Sequence, residues 1–400
     1  MKIVVISHAL VQDIPRKRWQ ILAEKYNHEV HLLVPKVWIS EWFGNKRTYI
    51  AKKVENNNFF VHPLPTSSRK NWGRYFFLSL DAKFRQIQPD IIYIVHEETI
   101  WIHQQIYLYR KLWAPKAKIV FFSMNARGVP LKRFYQRWMW KNLNRNVEAA
   151  LVHYPGCLES LRKAGFGKPV YLQTQVGVDE DLFRPDKEQR KQIREELGIS
   201  NKFVIGYVGR LIVDKGVDDL IKALPLDGID WALLLVGDGE LREEVERLIV
   251  ENNWQGRVVL CGEVQQKEVP GLMRAADCFV LASRTMPHWI DTFPLVTVQA
   301  MACGVPVVAS DSASLPWQLG KDALIFPEGN IIKLKENIMK LAKDASFRRD
   351  LAERGRKRSL RNFCVKGITE NFDRILKQIA SDKIECHHKD EEYIQYKAYR

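Results

Sequence analysis

The sequence predicts an α/β protein made of two doubly wound parallel-sheet domains, and three observations carry that prediction. Short β-branched runs alternate with helical patterns, which implies parallel strands covered on both faces. The alternation occurs twice. The chain has 400 residues, more than one hydrophobic core usually serves. An apolar share of 46%, with 22 Gly and 17 Pro, suits globular packing and excludes a disordered chain or a fibre.

The first series of strands is read at Ile3–Ile6, Val30–Val34, Ile91–Val95, Ile119–Phe122 and Ala150–Val152. The second is read at Phe203–Val208, Leu233–Val236, Val258–Cys261, Cys278–Leu281 and Val305–Ala309. Between them, 177–200 carries the polar stretch FRPDKEQRKQIREELGIS, a linker followed by a short helix, which places the boundary near residue 180. After Gly216, Val217, Leu220, Ile221 and Leu224 form the stripe of a half-buried helix, and Ile368, Phe372, Ile375, Leu376 and Ile379 form another. The expected domains are therefore 1–180 and 181–365, with a last helix over 366–381 and a polar, flexible tail over 382–400.

Charge is the compositional departure: 62 Lys and Arg against 47 Asp and Glu leave +15, which favours anionic lipid, nucleic acid or phosphorylated substrates. No helix-turn-helix, zinc finger or aromatic RNA-binding sheet signature is visible, so nucleic acid is not an expected partner. In 131–145, LKRFYQRWMWKNLNR, basic residues interleave with Phe134, Tyr135, Trp138, Met139 and Trp140, as an interfacial helix requires, and Trp38, Trp42, Phe43, Lys46 and Arg47 extend the same reading. The competing reading makes those aromatics core and the cations merely solvated. The six cysteines are scattered singly and fit reduced thiols; Cys386, His387 and His388 in the tail are read as a stray cluster rather than a metal site. The amino terminus opens directly as a strand and no run of 18 apolar residues occurs, so a cytoplasmic chain without a bilayer span is expected.

The most informative stretch is SRTMPHWIDTFPLVTVQAMACGVPVVAS, from Ser283 to Ser310. Pro294 suits the first turn of a helix over Leu295–Cys303, Gly304 ends it, and Val305–Ala309 is the next buried strand. The helix starts at the carboxyl edge of a parallel sheet, where free amides and the positive dipole end favour a diphosphate. Asp291 lies just ahead of the helix and Gln299 inside it, so both could face one ligand. In GYVGRLIVDKGVDDLIKAL, Gly209 places Arg210 at the tip of a strand and Lys215 five residues later; two cations there would neutralise a departing nucleoside diphosphate. LLLVGDGELREE sets Gly237 and Gly239 in a tight strand-to-helix turn, but Arg242 stands where a dinucleotide fingerprint needs Gly. A nicotinamide oxidoreductase is further undercut by the lack of a GxGxxG after the first strand.

Gly209-Arg210 with Lys215, the Gly237–Gly239 turn, Asp291–Gln299 and AMACGVPVVAS together resemble, in order and spacing, the carboxyl-terminal domain of the retaining GT-B glycosyltransferases of family 4. Gly177-Val178-Asp179 with Phe183-Arg184-Pro185 resembles that family's interdomain element, and the first domain is similar through its strand order and PDIIYIVHEE. The resemblance implies two Rossmann-like domains facing across a cleft, the last helix packing back on the first. It implies transfer of a sugar from a nucleotide-sugar donor to a saccharide or lipid-linked acceptor, in cell-surface polysaccharide or glycolipid synthesis and without a bound metal or other cofactor. Arg210 and Lys215 then correspond to the diphosphate grip, Asp291 to the first Glu of the family's E-x7-E motif, which contacts the sugar, and Gln299 to the second, which holds the ribose hydroxyls. The amides of Thr292, Phe293, Leu295 and Val296 would line the site, and Val264 belongs to the loops that contact the donor. Asp is about 1.5 Å shorter than Glu, one carbon–carbon bond, and Gln299 loses a charge-assisted bond, so the donor site is expected to be weakened.

The first domain departs further from the family. SHALVQDIPRKRW replaces the Gly-Gly turn of many relatives, and Phe122-Ser123-Met124-Asn125 stands where others place a His. His96 with Glu97 and Glu98, at the end of the Ile91–Val95 strand, is the candidate for acceptor binding or proton transfer, with Asn125 beside it on the acceptor side. The alternatives are a catalytically degenerate sugar-nucleotide-binding protein and, on the same fold, an epimerase or phosphorylase; the Asp291–Gln299 segment argues against the last two.

Overall fold

The computed structural model describes residues 1–12, 16–42, 45–71, 73–287 and 289–381. The chain divides into two compact units that meet in sequence at Val176/Gly177 and again at Cys364/Val365. Trp42 and Lys46 have no described side chain, and Phe43 and the tail with Cys386, His387 and His388 lie outside the described residues.

Unit 1 contains β1 (Lys2–Ile6), α1 (Lys17–Tyr26), β2 (Glu29–Pro35), β3 (Val37–Trp42), β4 (Asn45–Ile50), β5 (Val54–Asn56), β6 (Phe59–Leu64), α2 (Leu80–Ile87), β7 (Ile91–Val95), α3 (Trp101–Trp113), β8 (Lys118–Ser123), α4 (Phe134–Asn146), β9 (Ala149–Val152), α5 (Pro155–Lys163) and β10 (Val170–Leu172). Its eight-stranded sheet runs β10-β9-β8-β7-β1-β2-β6-β5, parallel except for the β5–β6 edge pair. Ile3–Ile6, Ile91–Ile94 and Ile119–Phe122 are wholly buried, as apolar runs on a sheet covered on both faces must be. β6 and β10, together with the β3–β4 hairpin, are additions to the strands read from sequence.

Unit 2 contains α6 (Lys187–Glu196), β11 (Phe203–Val208), α7 (Val217–Lys222), β12 (Trp231–Val236), α8 (Arg242–Glu251), β13 (Val258–Gly262), α9 (Val269–Ala275), β14 (Cys278–Leu281), α10 (Leu295–Ala302), β15 (Val307–Ser310), α11 (Leu315–Leu319), β16 (Leu324–Phe326), α12 (Ile331–Lys343) and α13 (Ala345–Phe363). Its six strands are all parallel, in the order β13-β12-β11-β14-β15-β16. The core runs through β11, β12, β14 and β15 and the inner faces of α10 and α12.

The last helix, α14 (Val365–Ala380), belongs to unit 1 and lies against α1. Phe372 meets Trp19 edge-on at 5.5 Å and Tyr93 at 5.1 Å, and the buried Arg18 guanidinium lies 4.3 Å from the centre of the Phe372 ring. Arg18 also donates to the carbonyls of Thr174 and Gln175, and His28 Nε2 pairs with Asp373 at 2.6 Å. Because so many anchors face inward, α14 buries Ile368, Phe372, Ile375, Leu376 and Ile379, the stripe read from sequence.

In each sheet the strand order reverses at one place: β1 lies between β2 and β7, and β11 lies between β12 and β14. Loops leaving neighbouring strands in opposite directions open a crevice at their carboxyl ends, which is where ligands bind in doubly wound folds. The segments singled out in the sequence fall on these two places.

Candidate active site

In unit 2 the reversal is flanked by 209–216, leaving β11, and by 282–294, leaving β14. Gly216 has φ +63°, and a Cβ there would come within 1.9 Å of the Ala282 carbonyl oxygen, so only glycine lets the two loops touch. Gly237 and Gly239 serve the same end. A Cβ on Gly237, at φ +130°, would lie 2.0 Å from the Gly209 oxygen, and one on Gly239 would lie 2.4 Å from the Leu211 oxygen. Leu211 N donates to the Asp238 carbonyl and Leu241 N to the Leu211 carbonyl, so the β12 loop braces the loop that carries Arg210. The buried Tyr207 hydroxyl fixes the Arg210 carbonyl at 2.6 Å.

Arg210 and Lys215 converge on one indole: the guanidinium carbon lies 5.3 Å and the ammonium 5.7 Å from the Trp289 ring centre, within cation–π range. Burial pulls the Arg210 guanidinium below its ordinary value, against the opposing fields of Asp291 and Asp214. Asp291 is not turned outward. Lys215 Nζ donates to both of its oxygens at 2.6 and 2.7 Å, Ser283 Oγ donates to Oδ2 at 2.5 Å, and Ser314 Oγ holds its backbone carbonyl at 3.1 Å. The loop before it is anchored by Arg284, which bonds to Asp218 and Asp219.

α10 begins three residues after Thr292, with Pro294 as its N-cap at ψ 97° rather than in its first turn. Gln318 Nε2 donates to the Pro294 carbonyl, as does Thr297 Oγ1, leaving the helix start rigid. Leu295 and Val296 are half-buried at that start, where the first amides have no partner within the helix. Thr292 is half-buried, and Phe293 packs its ring 5.5 Å from Phe363. Gln299 is buried one turn into α10, and Val264 packs against the unit 2 core just past β13.

The remaining site residues read from sequence build a separate cluster at the unit 1 reversal. His96 is buried with both ring nitrogens engaged: Nε2 meets the Tyr75 hydroxyl at 2.7 Å and Nδ1 meets His8 Nδ1 at 3.3 Å. Burial drives His96 well below the usual histidine range, helped by His8 and His103, and burial also lowers His8 to about 4. Glu98 is wholly buried and accepts from Ser123 Oγ; burial raises its carboxyl to about 7. Glu97 is half-buried and also raised by burial. Asn125 closes a turn, donating from Nδ2 to the Gly128 carbonyl.

The family resemblance, carried over residue by residue, assigned Arg210, Lys215 and Asp291 to one site but missed their supports: Tyr207, Ser283, Ser314 and Gln318 here, and His8, Tyr75 and Ser123 in unit 1. One signal was available, the small hydroxyls Ser283, Ser310, Ser312 and Ser314 at and past the ends of β14 and β15, all buried. Two readings need correction. Trp38 is core, packed 4.9 Å from His8 and 5.4 Å from Tyr75, and on α4 Met139 and Trp140 are buried too, Trp140 donating to the Ala164 carbonyl and packing against Phe166. Phe134 and Trp138 are the exposed aromatics of α4, at 80% and 48%, among exposed Arg133, Arg137, Lys141 and Arg145.

Residues 189–358 match the family described as Glycosyl transferases group 1. A GDP-mannose-dependent alpha-(1-6)-phosphatidylinositol monomannoside mannosyltransferase of Mycolicibacterium smegmatis is 36% identical over 145 residues, 35% of this chain and 38% of the relative. A GDP-mannose-dependent monoacylated alpha-(1-6)-phosphatidylinositol monomannoside mannosyltransferase of Corynebacterium glutamicum is 31% identical over 203 residues, 48% of this chain and 53% of the relative. The chain thus spans about half the length of such curated relatives, or less. The crystal structure of Anabaena Alr3699/HepE in complex with UDP superposes with a TM-score of 0.70 at 19% identity, covering 94% of this chain and 100% of that one. That likeness shows the two-domain GT-B fold. The family match itself lies within unit 2, over residues 189–358.

Proposed function

We propose that the chain is a retaining glycosyltransferase that moves a sugar from a nucleoside diphosphate sugar to a saccharide or lipid-linked acceptor, in the synthesis of cell-surface polysaccharide or glycolipid. The observation that carries this reading is the convergence of Arg210 and Lys215 at the unit 2 reversal, beside the start of α10. As the glycosidic bond to the diphosphate breaks, negative charge builds on the leaving oxygen. Two fixed cations and the amides of Leu295 and Val296 stabilise that charge more than they stabilise the ground state. The same groups make a bound metal unnecessary. Gln299 offers a neutral carbonyl to the ribose hydroxyls, and the loops with Thr292, Phe293 and Val264 complete the donor side.

The acceptor falls to unit 1, where Glu97, Glu98 and Asn125 stand at the ends of β7 and β8. Deprotonation of the acceptor is assigned to the leaving diphosphate itself, in a front-face displacement, so His96 need not act as a base. The names of the relatives support a nucleotide-sugar donor, GDP-mannose in the mannosyltransferases and UDP in the HepE complex, and the mannosyltransferases act on lipid-linked acceptors. A lipid-linked acceptor suits the exposed Phe134 and Trp138 with their four cations, which would draw the protein to the anionic inner face of a membrane as a cytoplasmic, peripherally bound enzyme. Among the described residues, no helix is long and apolar enough to cross a membrane.

The test is thermal stability against a panel of UDP-, GDP- and ADP-sugars, followed by assay of nucleoside diphosphate release. A ligand at 100 times its dissociation constant adds about 2.7 kcal/mol of stability. No stabilisation by any donor sinks the proposal, and stabilisation without release supports the degenerate, binding-only alternative.

A further inference from the structure

Asp291 stands where a sugar contact is expected, yet its side chain is committed elsewhere. Both oxygens accept from Lys215, Oδ2 also accepts from the buried Ser283, and the side chain is only 7% exposed, against 14% for Lys215. Its backbone is held as well, by Ser314 from the loop after β15. A carboxylate fixed from both main chain and side chain cannot swing toward a sugar without giving up these bonds. Being one methylene shorter than Glu, it is also withdrawn from the space ahead of α10 by about 1.5 Å.

We propose that Asp291 acts on the diphosphate grip through Lys215: it is a positioning residue that fixes the ammonium and offsets its charge, and thereby sets how tightly the nucleoside diphosphate is held and how readily it leaves. The inference rests on the reading of Arg210 and Lys215 given above. Its physical content is charge. A diphosphate approaching Lys215 meets an ammonium already neutralised by a carboxylate in contact with it, and the same carboxylate repels the incoming anion. Trp289 lies against the cations, within 5.7 Å of Lys215 and 5.3 Å of Arg210, and an aromatic face in contact lowers the local dielectric so that this repulsion is weakly screened. Release of product is thus built into the site that stabilises the leaving group.

The two roles separate in binding measurements on the full chain, because a sugar ligand affects only ligands that carry a sugar. Isothermal titration of UDP, GDP and ADP, and of the matching nucleotide-sugars, is compared for wild type and D291N. The expected result is about tenfold tighter binding of the sugar-free diphosphate by D291N, a gain that disappears when Lys215 is also replaced by Met. Asp291→Glu, which keeps the charge, is expected to stay within about twofold of wild type for the same diphosphate. If D291N does not fold, Asp291→Ser removes the same charge with less bulk and carries the same expectation. Unchanged or weakened diphosphate binding in the charge-removing variants overturns the inference, as does a gain that survives loss of Lys215. A wild-type protein that binds none of the three diphosphates overturns the functional reading along with it, so the two failures look different.

Discussion

The two sheets reverse strand order at β1 and at β11, and the chemistry at the two carboxyl ends is opposite in kind. At β11 a buried carboxylate sits in direct contact with an ammonium and a guanidinium lies close by; at β1 the buried His96 and Glu98 and the half-buried His8 bond to a tyrosine, a serine and one another. The outcome follows from solvation. Burial disfavours the charged form of a group that has no opposite charge in contact, which is why His8 falls to about 4 and Glu98 rises to about 7. The same topology therefore carries an ion pair in unit 2 and a buried, hydrogen-bonded cluster in unit 1.

Breaking the charged end should have the largest effect. Lys215→Ala is expected to lower turnover by about 10²–10³, the scale of losing one donor to the transition state; steady-state rates near wild type would remove unit 2 from the comparison. The neutral end is sharpened by pH. The Glu98 carboxyl rises from 4.5 to about 7 in the folded chain, so between those values the unfolded chain binds fewer protons than the folded one and stability falls as pH rises. Glu98→Gln should abolish that fall, a relative gain of about 3 kcal/mol at pH 8 over pH 4, read from urea midpoints at the two pH values. Equal slopes for variant and wild type would mean that Glu98 is ionised. Gly237→Ala tests the loop contact that holds Arg210 in place, and should cost about 2 kcal/mol in chemical denaturation, because it combines a positive φ with a backbone clash. The smallest effect is expected outside both ends: replacing Arg137, one of the cations beside Phe134 and Trp138, by Ser should weaken binding to anionic vesicles by about 1 kcal/mol, seen by flotation at low salt and lost at high salt.

Much of the fold was legible because parallel strands buried on both faces are continuous apolar runs: FVIGYV and WALLLV could hardly be anything else. FFVHPL was passed over because a His and a Pro interrupt it. It survives as a strand next to the sheet edge, where His62 bonds His31 on the neighbouring strand and Pro63 needs no donor on its free side. The identities of Arg210, Lys215 and Asp291 were likewise visible, but the ion pair was not, since its partners lie 76 positions apart and only the strand order brings them together. Trp38 misled for a different reason: an aromatic beside cations looks the same in sequence whether its ring faces a lipid surface or, as here, a histidine.

α14 closes unit 1 from beyond unit 2 in the chain, and this has a consequence for synthesis. Every described strand and helix of unit 2 has emerged by Cys364, whereas the hydrophobic patch around Trp19 and Tyr93 stays uncovered until Phe372 arrives. On the ribosome unit 1 therefore begins before unit 2 and is completed after it. A fragment cut at Val176 would carry that patch bare, while 177–364 is the stretch to express on its own.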